Sequence, residues 1–142
     1  MKKTVRILTF TLVFVMLALT LASCGEPKSK PADAVSALKK NDYTAVQDTL
    51  IVPTALALLG VKCDSVVTGS KTVEDKNGDK KVESVTIVYF TDKDAATAAW
   101  EKVKSYAEDT NKDAKDNKDD FQIKQSGAMI YWGTKAGIKA AS

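Results

Sequence analysis

The sequence predicts a small layered α+β domain, with an antiparallel sheet of about four to five strands packed by helices. Three observations predict it. Asn77-Gly78 lies between two β-rich runs, and this pair is the strongest short hairpin signal because both turn residues must accept positive φ. Val85 to Phe90 lacks polar–apolar alternation and is apolar on both faces, as a central strand covered on both sides must be. Ala96, Ala99, Trp100, Val103, Tyr106 and Ala107 recur at spacings of three and four, which places them on one face of a helix.

Taken in order, the chain opens with Lys2, Lys3 and Arg6, and residues 7–22 carry no charge. A basic start, a short apolar core and small residues at a cut are the layout of a secretory signal. A transmembrane span needs about 20 apolar residues. This run is shorter and Gly25, Glu26 and Pro27 follow at once, so export and cleavage are expected. Leu21-Ala22-Ser23-Cys24 resembles the lipobox of bacterial lipoproteins, in which the cysteine sulfur receives a diacylglycerol and becomes the first mature residue. The resemblance implies a cleaved signal over residues 1–23, lipidation at Cys24, and a protein held on the extracytoplasmic face of the cell membrane. Two acyl chains anchor stably where one binds only marginally.

Charge separates this leader from the rest. The chain holds 21 basic and 18 acidic residues, and three of the basic ones are Lys2, Lys3 and Arg6. The excess of +3 therefore belongs to the leader, and residues 24–142 balance to zero. Such a domain has no basic attraction for nucleic acid or anionic lipid. Its length suits one domain with a modest core.

Cys24 to Pro31 has two prolines and no apolar periodicity, and reads as a solvated tether ahead of a single domain over residues 32–142. Ala32 to Lys40 places Ala34, Val35 and Leu38 on one helical face, with two lysines in the last turn to complement the dipole. Asn41-Asp42 ends it. Tyr43 to Val46 has strand chemistry, with a short helix as the competing reading. Pro53 suits a first helical turn and Gly60 a terminus. Thr54 to Leu59 between them is apolar nearly all round, so this helix is expected deep in the core.

Asp64 to Val73 reads as a strand loosened by Gly69, followed by the Asn77-Gly78 turn and a strand from Val82 to Phe90. Thr91 or Asp92 can cap the next helix, with Asp94 adding negative charge at its start. Glu108 to Asp120 is a Lys, Asp and Asn loop. Phe121–Gln125 and Ala128–Trp132 form a second hairpin around Ser126-Gly127, and Thr134 to Ala141 closes as a helix weakened by Gly137. The strand order is left open.

The candidate sites are few. Asp75 to Asp79 opens like a calcium loop, but the sixth position is Lys80 rather than glycine and the twelfth is Thr86 rather than an acid. A hairpin turn explains the same residues. Asp109, Asn111, Asp113, Asn117 and Asp120 match ligand spacing around Ala114, Lys115 and Lys118, and read as a solvated charged loop. Gly69-Ser70-Lys71-Thr72 fails as a phosphate loop, since position 64 is Asp64 where the first glycine belongs. No metal and no cofactor is expected. With Cys24 lipidated, Cys63 stands alone and reads as a small buried apolar residue. The chain has no histidine to activate it, and no catalytic residue is assigned. Tyr131 and Trp132 are adjacent, so on a strand they point to opposite faces, and one of them exposed is the candidate ligand-binding residue.

Ser84 to Phe90, Asp94-Ala95-Ala96 with Trp100 to Val103, Ser126-Gly127, and Ile130 to Ala136 with Ile138 to Ala141 together resemble a group of small lipoproteins of Gram-positive, clostridial-type bacteria. The resemblance implies an exported, membrane-tethered domain and carries no activity with it. The function expected is a non-catalytic module that binds a small ligand, an envelope polymer or an envelope protein. The alternative is a structural or accessory protein docking onto a membrane or envelope complex.

Overall fold

The computed structural model describes residues 25–111 and 120–142. They form an α+β domain built on one five-stranded sheet, antiparallel throughout, in the order β1-β2-β3-β5-β4. The strands are β1 (Thr44–Asp48), β2 (Ser65–Glu74), β3 (Lys80–Tyr89), β4 (Phe121–Ser126) and β5 (Met129–Thr134). Four helices accompany them among the described residues: α1 (Pro31–Lys40), α2 (Ile51–Leu58), α3 (Lys93–Thr110) and α4 (Lys135–Ala140).

The period-2 alternation of the strands divides the core into two clusters, one on each face of the sheet. On the first face Ala45, Val67, Val85, Ile87, Tyr89, Met129 and Tyr131 pack with Ala34 and Leu38 of α1 and Ile138 of α4. On the second, Val66, Val88, Ile130 and Trp132 pack with Val52 and Leu56 of α2 and Ala96, Ala99, Val103 and Ala107 of α3. Helices on both faces explain why β3 and β5 are apolar on both. The β3 run is thus the central strand that its composition predicts, between β2 and β5.

Local chemistry sets the helix ends. Asp92 caps α3, its carboxylate accepting from the Ala95 N–H at 2.8 Å. Thr134 caps α4 by accepting from the Gly137 N–H at 3.1 Å, and the same hydroxyl accepts from the Ser84 N–H at 3.2 Å. Helices α1 and α2 end in the same turn. In α2 the Val61 N–H donates to the Leu56 carbonyl and the Gly60 N–H to that of Ala57, both at 2.9 Å. Gly60 takes φ +78° to allow this, and Val61 packs with Leu56 in the core below. In α1 the left-handed position is Asp42, at φ +64°.

Tyr43 to Val46 follows the strand reading rather than the competing helix, since β1 pairs with β2 from Thr44↔Ser70 to Asp48↔Val66. One expectation changes. Helix α2 starts two residues before Pro53 and is not central: Val52 and Leu56 are buried, but Leu50, Ile51 and Leu58 are 73 %, 77 % and 84 % exposed. Two turns offer a single i, i+4 pair to the sheet, and the middle of that face is already covered by the longer α3. Gly137 has a packing reason. A side chain there, or at Gly133, would overlap the backbone carbonyl of Ser84, so both glycines let α4 and β5 close on β3.

Candidate functional site

The strand register gathers one end of every strand into a row. Asp48 pairs with Val66, Ser65 with Tyr89, Tyr89 with Met129, and Ser126 with Met129. Residues 26–28 attach at this end of the domain. The Lys28 N–H donates to the Ala141 carbonyl at 2.9 Å, and the Tyr89 hydroxyl donates to the Lys28 carbonyl at 2.8 Å. The Ser126 hydroxyl donates to the Glu26 carboxylate at 2.8 Å, and Pro27 is buried. The stretch read as a solvated tether is therefore docked on the domain from Glu26 onward. Sequence reasoning missed it because all three hydrogen bonds reach across the chain, to residues about a hundred positions away in two cases and about sixty in the third.

Between the docked segment and the sheet end lies an open cleft of about 480 Å³. It is lined by Glu26, Lys28 and Ser29 of the docked segment, by Tyr89 and Phe90, and by the Ser126–Met129 turn with Ser142. Burial pushes the Tyr89 hydroxyl well above its usual pKa, with Asp33 adding to the shift. Tyr131 is raised as well, by burial first and then by the Glu26 carboxylate. Both phenols stay protonated and can donate.

Cys24, the expected lipidation site, lies outside the described residues, next to Gly25. Tyr131 and Trp132 do point to opposite faces, but neither is exposed: Tyr131 is 2 % and Trp132 3 % accessible. The reason is the cover of helices on both faces. Trp132 meets Tyr106 of α3 edge to face, with ring centroids 6.1 Å apart and planes at 77°. The two aromatics are core residues of opposite clusters and form no common site.

In the Asp75–Asp79 stretch the Asp75 carboxylate accepts from the N–H groups of Asn77 and Asp79 at 2.8 and 2.9 Å, so it serves the hairpin turn. In the second acidic stretch Asp113 and Asn117 lie outside the described residues. Asp120 is paired with Lys81 at 2.8 Å, and that lysine, with backbone help from Lys135, holds its carboxyl below the usual range. Among the described residues no three His, Cys, Asp or Glu side chains converge as metal ligands. Cys63 is a half-buried free thiol, pushed toward its protonated form by burial and by Asp64. Gly69 sits beneath Leu38 of α1, whose side chain fills the space over it. No helix among the described residues is long and apolar enough to cross a membrane.

The feature that composition hid is on α2. Among the described residues the exposed large apolar side chains are Val46, Leu50, Ile51, Leu58, Leu59 and Val82. All but Val82 belong to β1, α2 or their junctions. The available signal was the uncharged stretch from Thr49 to Val61, which is longer than one short helix can bury. Comparison of the chain with protein-family models, curated proteins and solved structures found no match.

Proposed function

We propose that the chain is a lipid-anchored extracytoplasmic binding module, fixed to the membrane through a diacylglyceryl thioether on Cys24, that recruits an envelope component without transforming it. The observation that carries the reading is the Leu21-Ala22-Ser23-Cys24 sequence directly after an uncharged run, one residue ahead of a segment packed on the domain. A non-catalytic role is supported by the absence of histidine from the chain and by a free thiol biased toward its protonated, unreactive form. The cleft at the sheet end is the candidate ligand site. Its mixed lining, which includes Glu26 and Tyr89, suits a small polar ligand or a polymer end.

Intact-mass analysis of membrane-extracted protein tests the anchor. Residues 24–142 with a diacylglyceryl adduct are expected, and C24S should release the protein from the membrane fraction. An unmodified full-length polypeptide in the cytosol would sink the reading. A thermal-shift screen with sugars, amino acids and peptidoglycan fragments tests the cleft. Stabilisation that S126A or Y89F weakens is expected, and no shift with any of them removes the ligand.

The second reading, an accessory protein docking on an envelope complex, is favoured by the exposed apolar side chains of α2. Co-purification from detergent-solubilised membranes, with and without L58E, tests that docking. A partner retained equally by both forms counts against α2 as its contact.

A further inference from the structure

We propose that α2 is a second, noncovalent membrane contact, its exposed face of Leu50, Ile51 and Leu58 lying in the interface of the bilayer that holds the Cys24 anchor. The inference rests on the lipid-anchor reading and adds an orientation to it. The domain stands with the end row of its sheet on the membrane.

Three observations place α2 and the anchor at the same end. The Glu26 carboxylate is held at 2.8 Å by Ser126 in the end row, and Cys24 is two residues away. At no more than about 3.6 Å per residue, two residues of chain limit the reach from the Glu26 Cα to the Cys24 Cα to roughly 7 Å. The α2 segment is pinned to the same row at both ends. Asp48, the last residue of β1, accepts from the N–H groups of Leu50, Ile51 and Val52, each at 2.9 Å. After the helix, the Asp64 N–H donates to the Tyr89 carbonyl at 2.8 Å. Five strands at about 4.8 Å spacing make the row roughly 19 Å wide, so a flat bilayer that receives the anchor also meets the α2 side of the sheet.

The α2 segment is an apolar island at an end of the sheet that also carries Asp48, Lys62, Asp64 and Asp92. From Thr49 to Val61 there is no charged residue. At the opposite end the β2–β3 hairpin carries Glu74, Asp75, Lys76, Asp79, Lys80 and Lys81, which belong in water. The outward face of α2 is apolar and carries no Lys or Arg, so its contact at about 5–10 Å depth would rest on buried apolar area alone.

The test couples the mature chain, carrying C63A so that Cys24 is its one thiol, to a maleimide phospholipid in phosphatidylcholine–phosphatidylglycerol vesicles. Its hydrogen exchange is compared with that of the same protein capped by N-ethylmaleimide in solution. Amides of residues 50–59 are expected to exchange about tenfold more slowly on vesicles, while residues 74–82 are unchanged. L50E/L58E should abolish the slowing without lowering Tm, because both side chains are exposed. Equal rates at 50–59 on vesicles and in solution would overturn the proposal. So would protection in the capped protein that grows with concentration, since a second copy would then cover the face. The lipid is attached chemically, so this outcome does not depend on cellular lipidation, which fails or stands on the mass of Cys24.

Discussion

At Gly133 the backbone of β5 takes φ +147° and runs so close to β3 that a Cβ would overlap the Ser84 carbonyl and the Val85 Cα. Neither neighbour is the end of a flexible side chain, so the overlap cannot be relieved by a rotamer change. G133A is expected to destabilise the domain by about 3 kcal/mol or more, read from the urea midpoint. Asp48 carries a different load. Burial alone would raise its pKa, but three N–H donors from Val52, Leu50 and Ile51 outweigh that and lower it. D48A should cost about 0.5–2 kcal/mol, as helix caps do. Because the folded pKa is depressed, the wild-type contribution is complete above the ordinary carboxylate value. It is lost as pH falls through the lower folded one. The gap in stability between wild type and D48A should therefore shrink on acidification below about pH 4; a constant gap contradicts the cap.

At the scale of elements, α2 shows how composition misleads where geometry decides. L56A removes a fully buried side chain and should cost about 2–5 kcal/mol. L58A, two residues on, removes an exposed one and should stay within about 0.5 kcal/mol. Chemical denaturation of both variants measures the contrast, and similar losses would mean that α2 is buried all round after all. Helices α1 and α3, by comparison, have periodic apolar positions that match what they bury: Ala34 and Leu38 in one, Ala96, Ala99, Val103 and Ala107 in the other. Their length relative to their apolar stripe made them legible. The hairpins were legible for a local reason, since Gly78 and Gly127 both take positive φ; Asn77 does not, because the first hairpin turns through the longer loop 75–79 between the paired Glu74 and Lys80.

For the whole molecule, the ionisable groups define a pH window. No histidine is present, so nothing of that kind titrates near neutrality. All four tyrosines are raised, each by burial first, with Glu83, Asp33, Asp48 and Glu26 adding to Tyr43, Tyr89, Tyr106 and Tyr131 respectively. Tyr43 also donates to Glu83 at 2.6 Å, a bond that ionisation would break. A raised folded pKa means the stabilisation is complete below the unfolded value of about 10 and is lost as pH climbs above it. Stability should be flat from about pH 5 to 9 and fall steeply above pH 10. Tyrosinate absorbance at 295 nm should appear together with unfolding; a gradual rise near pH 10 in the folded protein would mean that the phenols are accessible.

The sequence by itself determined the α+β class, the two hairpins, the central strand and the long helix, because each is specified by neighbours within about ten residues. It also supplies the whole basis for the proposed Cys24 anchor, which depends on a short linear pattern. Only the tertiary structure decided the strand order and the docking of residues 26–28. It also buried both Tyr131 and Trp132 and left one face of α2 uncovered. Each of these depends on which surfaces the remaining elements already occupy. Hydrophobicity states that a side chain prefers to leave water, but the number of places inside is set by how helices and strands tile one another.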